Sequence, residues 1–241
     1  MHEGFDLERF MFADGSSQGL SNIIVARTGS GKTEWLKRMI HDSKNIENES
    51  LINKVVYISP KEENILDAKT VFDKEDLSKI LEKDDLVVYV PSPEDYNGDV
   101  DGVIDRVFEM QNEIPYVEDG EENKFLSYHI VIDDASIFLS AQKPPSSAIK
   151  KLIISGRGRR VKTTIIVHRF NQIPRLVSGN LGGLIVLSVA KTDLDLTERL
   201  FAFRLDDIAP DLDNFKWAYI DLLQNDPQPY KYNPIIPVGD E

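Results

Sequence analysis

Residues Ser21 to Ile40 read SNIIVARTGSGKTEWLKRMI. Ser21 to Val25 is a short apolar run with β-branched side chains, which is the pattern of a buried strand. From Thr33 onward the helix formers and the spacing of Trp35, Leu36, Met39 and Ile40 predict an amphipathic helix. Between the two lies Ala26-Arg27-Thr28-Gly29-Ser30-Gly31-Lys32-Thr33, with Glu34 following. A glycine-rich turn in that place aims several backbone N–H groups, and the positive end of the helix dipole, at one point in space. That point suits a polyphosphate, so Ala26 to Glu34 are expected to bind the phosphates of ATP. Lys32 can reach the β- and γ-phosphates, and the Thr33 hydroxyl can ligate Mg2+. The pattern G-x-x-x-x-G-K-[ST] is met at every position except the first, where Ala26 stands for Gly. Ala is the smallest residue with a Cβ and fits there if its φ stays negative. A chance glycine-rich turn is the bland alternative, and the strand before and helix after it argue against that.

A second stretch downstream carries complementary chemistry. Tyr128 to Asp134, YHIVIDD, is a β-branched strand that delivers two adjacent carboxylates to its end. In that Walker B arrangement Asp133 holds Mg2+ through water, and Asp134 orients and deprotonates an attacking water. The bland reading is a strand ending in an Asp-Asp turn. Between the two motifs the pattern predicts strands at Lys54 to Ser59, with Pro60-Lys61-Glu62 at the carboxyl end, and at Leu86 to Val90. It predicts helices over Ile65 to Leu81 and Val100 to Met110, and a solvated acidic loop at Val117 to Glu122. Strands alternating with helices indicate an α/β fold around a mostly parallel sheet.

Past the acid pair, Ser146 can cap a helix running to Ser155, which leads into Gly156-Arg157-Gly158-Arg159-Arg160 and a strand over Val161 to Val167. Lys150, Lys151, Arg157, Arg159, Arg160, Lys162, His168 and Arg169 lie in one run that contains no Asp or Glu. Three readings are open: arginine fingers acting on a neighbouring subunit's ATP, contacts to nucleic-acid phosphates, or an ordinary solvated basic turn. His168, at the end of its strand, is placed either to sense the γ-phosphate or water, or to serve as a structural histidine; Asn171 and Gln172 could do the same task. A short helix at Ile173 to Ser178, a core strand at Leu184 to Val189 and a helix at Leu194 to Phe203 follow. An acidic loop covers Asp206 to Asn214. Trp217 to Leu222 and Gln228 to Tyr232 are expected to form a terminal β-hairpin turning at Asn225-Asp226-Pro227. The first 19 residues read as an N-terminal arm with an amphipathic piece, Phe5 to Phe12, covering the sheet edge or meeting a partner; residues 234–241 read as an extended tail.

Composition sets the outer bounds. At 241 residues the chain fits one α/β domain, 1–241, with a large buried core. A net charge of -13 excludes a histone-like coat for nucleic acid but not a local basic channel. Without cysteine there is no disulfide, thiolate metal site or catalytic thiol. The charged N-terminus is unlike a signal peptide and no apolar run approaches a membrane span, so an intracellular soluble protein is expected.

With TGSGKT, YISPKEE, IVIDD, GRGRR and IIVHRFNQIP on the page, the chain resembles the FtsK–HerA superfamily of DNA-pumping ATPases over Ser21 to Ser188. In its small size it looks most like the genome-packaging ATPases of tailless icosahedral viruses with a double-jelly-roll capsid protein. The resemblance implies a three-layer P-loop NTPase fold of RecA/ASCE type. It implies Lys32 and Thr33 for phosphate and Mg2+, Asp133 for Mg2+, Asp134 as the catalytic base, Arg157, Arg159 or Arg160 as a trans-acting finger, and His168 as the sensor. Three positions depart from the family pattern: Ala26 for Gly, Asp134 for Glu and His168 for Gln. The implied function is a motor, a pentameric or hexameric ring that hydrolyses ATP and moves double-stranded DNA into a capsid. Its partners would be DNA, its own copies and a capsid vertex or portal protein, and its place the host cytoplasm or the virion vertex. The same core would serve conjugation or chromosome segregation. Two readings of other classes are a small-molecule kinase with GRGRR as a lid, and a nucleotide-dependent scaffold without hydrolysis.

Overall fold

The computed structural model describes residues 5–12, 21–46, 51–119, 122–189, 193–201, 205, 216–223 and 229–234. The strands are β1 (Ser21–Val25), β2 (Leu51–Ile58), β3 (Lys69–Val71), β4 (Leu86–Tyr89), β5 (Tyr116–Asp119), β6 (Glu122–Ile132), β7 (Val161–Val167), β8 (Leu181–Leu187), β9 (Lys216–Asp221) and β10 (Pro229–Pro234). The helices are α1 (Leu7–Met11), α2 (Lys32–Ser43), α3 (Asp76–Leu81), α4 (Tyr96–Glu113), α5 (Ser147–Ser155), α6 (Arg175–Ser178) and α7 (Leu194–Phe201).

Among the described residues all strands join one ten-stranded sheet in the order β10-β9-β8-β1-β7-β6-β2-β4-β3, with β5 paired to β6. From β8 to β3 the neighbours are parallel. That explains their sequences: strands covered on both faces need apolar side chains in both directions, and β1, β7 and β8 are buried throughout. The expected C-terminal hairpin is present as β9 and β10, antiparallel to each other, with β9 also antiparallel to β8.

The pleat divides the core in two. Ile23 and Val25 point into a cluster with Leu77 of α3, Val103 and Ile104 of α4, Leu152 of α5 and Phe170. Ile24 and Ala26 point the other way, into a cluster with Trp35 and Leu36 of α2 and Phe5, Leu7 and Phe10 around α1. Helices on both faces of one mostly parallel sheet are the three layers that the sequence implies.

Three expectations need correction. Ile65 to Leu81 is not one helix: Leu66 and Asp67 take positive φ of 52° and 57°, and Lys69 to Val71 leaves to pair with β4 before α3 starts at Asp76. The open hydrogen-bonding edge of β4 outweighs helical spacing there, as tertiary context does for weak local preference. The acidic block at Val117 is not a free loop either. β5 pairs antiparallel with the start of β6, Tyr116 opposite Phe125, and lengthens β6 below β7. Finally, the N-terminal piece covers a face of the sheet, not its edge. Phe10 packs edge-on to Trp35, Asn22 Nδ2 donates to the Phe10 carbonyl, and Arg9 pairs with Asp221 at 2.8 Å. The buried ammonium of Lys162 donates to the Arg9 carbonyl. The expected acidic loop at 206–214, the hairpin turn and residues 235–241 of the tail lie outside the described residues.

Candidate nucleotide site

The site is assembled where parallel strands end. β1 runs into the loop 26–31, whose Gly29 and Gly31 hold φ of 77° and 87°, a left-handed region open at little cost only to glycine. Gly31 then caps α2, a 12-residue helix whose first turn carries Lys32, Thr33 and Glu34. Lys32 and Thr33 are half-buried, while Arg27, Thr28 and Gly29 are exposed. Glu34 turns aside to pair with Lys37 at 3.1 Å. Ala26 keeps a φ outside the positive range, as its side chain requires; it is fully buried and its N–H donates to the Val167 carbonyl at 3.0 Å.

β7 is inserted between β1 and β6. The acid pair therefore stands one strand away from the loop, and the residue ending β7 stands between them. That residue is His168. Its Nδ1 donates to the Ala26 carbonyl at 3.2 Å and its Nε2 lies 3.0 Å from Asp134 Oδ1. Both ring nitrogens thus face acceptors, tying the start of the loop to the second carboxylate. Gln172 does not replace it; its amide oxygen accepts from the backbone N–H groups of His168 and Arg169 and caps the strand end. Asn171 is exposed.

Asp133 is 3% exposed, and each of its oxygens has one donor: Oδ2 accepts from the Tyr57 hydroxyl at 2.9 Å and Oδ1 from the Asp134 N–H at 2.8 Å. Asp134 has φ 48°, a left-handed conformation that Asp tolerates better than most residues. Its Oδ1 accepts from Ser136 Oγ at 2.6 Å as well as facing His168.

Residues that the sequence patterns did not single out complete the surroundings. Burial, with Asp133 and Glu63 nearby, pushes the Tyr57 phenol far above its ordinary range. The Tyr96 phenol is likewise pushed up, first by burial and then by Asp134 and Asp133, and its hydroxyl has no hydrogen-bond partner among the described residues. Lys61 pairs with Glu63 at 3.0 Å, and that pair, with the acid pair adding, raises the ammonium. The signal for Tyr57, Lys61 and Glu63 was the YISPKEE segment, but its relevance depends on β2 lying beside β6, Tyr57 opposite Val131.

The arginines stand elsewhere. Arg157 to Arg159 form a single turn preceding β7, so they lie at the end of the sheet away from the loop, about 20 Å off at 3.3 Å per residue along β7. Arg157 and Arg159 are exposed; Arg159 donates to Asn112, and Arg160 lies 4.1 Å over the Phe125 ring. The structure brings Lys32, Thr33, Asp133, Asp134 and His168 together, and keeps the three arginines apart from their own chain's site.

The residues fit a polyphosphate with Mg2+. Two left-handed glycines open the loop, the buried Ser30 hydroxyl is unpartnered among the described residues, and a long helix begins at its rim. Among the described residues no three His, Asp or Glu side chains converge into a metal cage.

Solved structures share this fold. The genome packaging NTPase B204 from Sulfolobus turreted icosahedral virus 2, in complex with ATP-gammaS, matches with a TM-score of 0.68 at 12% identity, over 89% of this chain and 97% of that one. The fold is that of a P-loop NTPase. The cytoplasmic domain of the Thermomonospora curvata Type VII secretion ATPase EccC matches at 0.54 and 16% identity, over 89% of this chain and 25% of that chain. The pCW3 conjugation coupling protein TcpA matches at 0.53 and 13%, over 90% and 61%. These likenesses bear out the three-layer P-loop NTPase fold expected above. No protein-family profile matches the chain, and no curated protein does.

Proposed function

We propose that the protein is an ATPase that moves double-stranded DNA, working as a ring that packages a viral genome. The observation that carries the hydrolytic part is the junction at the end of β7. One histidine contacts both the Ala26 carbonyl and the Asp134 carboxylate, so the loop and the acid pair form one unit. The packaging part is supported by the likeness to B204 across nearly the whole of both chains.

In this reading the N–H groups of the loop and Lys32 would hold the triphosphate, and Thr33 with Asp133 would hold Mg2+, which would supply charge neutralisation at the phosphates. Asp134 Oδ1 is occupied by Ser136 and His168, which leaves Oδ2 to take the proton of a water attacking the γ-phosphorus. The bond from γ-phosphorus to the bridging oxygen breaks, giving ADP and phosphate. Arg157, Arg159 and Arg160, far from their own loop, are available to a neighbouring subunit or to DNA phosphates. The whole would act as one ATPase domain inside an infected cell, with residues 1–19 and 234–241 as flanking arm and tail and a capsid vertex as its docking place.

The test is ATP hydrolysis by the purified protein with and without double-stranded DNA, with Lys32→Ala as the blank. Stimulation by DNA that vanishes in the variant and weakens steeply with salt supports a translocase. Hydrolysis indifferent to DNA, or turnover only with a small phosphate acceptor, would move the assignment to a scaffold or a kinase.

A further inference from the structure

The Tyr57 hydroxyl sits between two strands that have no sequence link. β2 brings it from one side and β6 brings Asp133 from the other, in parallel register with Ile58 opposite Ile132. Tyr57 is 0% exposed, and its hydroxyl donates to Asp133 Oδ2 at 2.9 Å. The same carboxylate accepts the Asp134 N–H on Oδ1. Each oxygen thus has one donor from the protein, which fixes the carboxylate plane and leaves one lone pair per oxygen for a ligand.

We infer that Tyr57 is a positioning residue for the divalent cation: it holds the Asp133 carboxylate in the one orientation that receives Mg2+ or its water ligands when nucleotide is bound. Two observations support this over a purely structural role. A tyrosine in this buried parallel strand could be replaced by phenylalanine without loss of packing, so its hydroxyl needs a polar reason to be there. Among the described residues that hydroxyl has one partner, and the partner is the carboxylate that ends the neighbouring strand beside the nucleotide loop. Partners of this kind, one step removed from the metal, fix ligand orientation, and removing them typically weakens metal binding about 10- to 100-fold.

The inference rests on the nucleotide-site reading above, and the test separates the two. Binding of a fluorescent non-hydrolysable ATP analogue is measured across a Mg2+ titration for the parent, Tyr57→Phe, Asp133→Asn and the double variant, with thermal melting of each protein alone. The parent should bind more tightly with Mg2+. Tyr57→Phe, which removes one oxygen and keeps the ring, should melt within a few degrees of the parent and bind the analogue equally well without Mg2+. Its half-saturating Mg2+ should rise about 10-fold or more. In the Asp133→Asn background the same change should add nothing, because the carboxylate that it serves is gone. An unchanged Mg2+ dependence in Tyr57→Phe overturns the inference, as does a fall in melting temperature with that dependence intact. If the parent itself does not bind the analogue, the nucleotide-site reading falls and this one with it. Should Tyr57→Phe not fold, Tyr57 is structural and the inference is wrong.

Discussion

Two histidines in this chain have opposite environments. His168 sits half-buried with an acceptor on each ring nitrogen. His129 is completely buried in β6, bonded to Thr164 Oγ1 at 2.8 Å, and burial, with Lys162 nearby, lowers its pKa to about 3. The folded protein therefore keeps His129 neutral, while the unfolded chain protonates it below about pH 6.5. Above that pH the difference contributes nothing. Below it the unfolded state binds the extra proton, and stability falls by about 1.4 kcal/mol per pH unit until the folded histidine titrates as well. Urea unfolding at pH 6.5 and 5 should thus show a loss about 2 kcal/mol larger in the parent than in His129→Gln, because carboxylate titration is common to both. Equal losses would mean that water reaches His129. The sequence pointed to His168 and passed over His129, since a histidine in a β-branched run carries no sign of what will surround it.

The basic turn between α5 and β7 is set by one glycine. A Cβ on Gly156 would lie 2.4 Å from both the Leu152 and the Val161 carbonyl oxygens, which are backbone and cannot swing away. The helix end and the strand start close on each other only because that position is bare. Ser146 at the other end of α5 accepts the Ile149 N–H, as its sequence position predicted, so both ends of this element are fixed by local chemistry. Gly156→Ala should destabilise the fold by about 1–3 kcal/mol, read from a urea midpoint, and shift the arginines. Gly158, with nothing within 4 Å of its would-be Cβ, should accept Ala with little effect. The strands and helices that flank these turns were readable because burial on both faces or on one stripe leaves a periodic trace. β3 and β5 were not, being short edge pieces of three and four residues whose structure comes from the strand beside them.

Across the molecule the charges are strongly segregated. From Ala135 to Thr192 there is no Asp or Glu, although the chain has 41 of them. This acid-free segment supplies α5, the arginine turn, β7, α6 and β8, the middle of the sheet, while acidic residues dominate α4. A molecule of this kind can meet a copy of itself or a polyanion through one sector while the rest stays soluble. If the arginines complete a neighbour's site, two inactive variants should rescue each other. Asp134→Asn mixed with Arg157→Ala/Arg159→Ala should regain a measurable fraction of parental ATP hydrolysis, because some interfaces then pair an intact acid with intact arginines. Failure to regain activity in any mixing ratio, with both variants still binding nucleotide, would remove the trans-acting role.

The local chemistry of the nucleotide loop, the acid pair and most of the sheet was written in the chain itself. Glycine spacing, β-branched runs and capping residues act within a few positions of themselves, and so leave a signal in consecutive residues. The order of the strands was not so written. That β7 separates β1 from β6, that β2 lies against β6, and that an N-terminal segment covers the face behind Trp35 follow from how the chain returns on itself. His168 meets Asp134, and Tyr57 meets Asp133, only because parallel strands far apart in sequence end side by side. Contacts between distant residues are chosen by which arrangement buries both faces of every strand at once, and no single stretch of sequence carries that information.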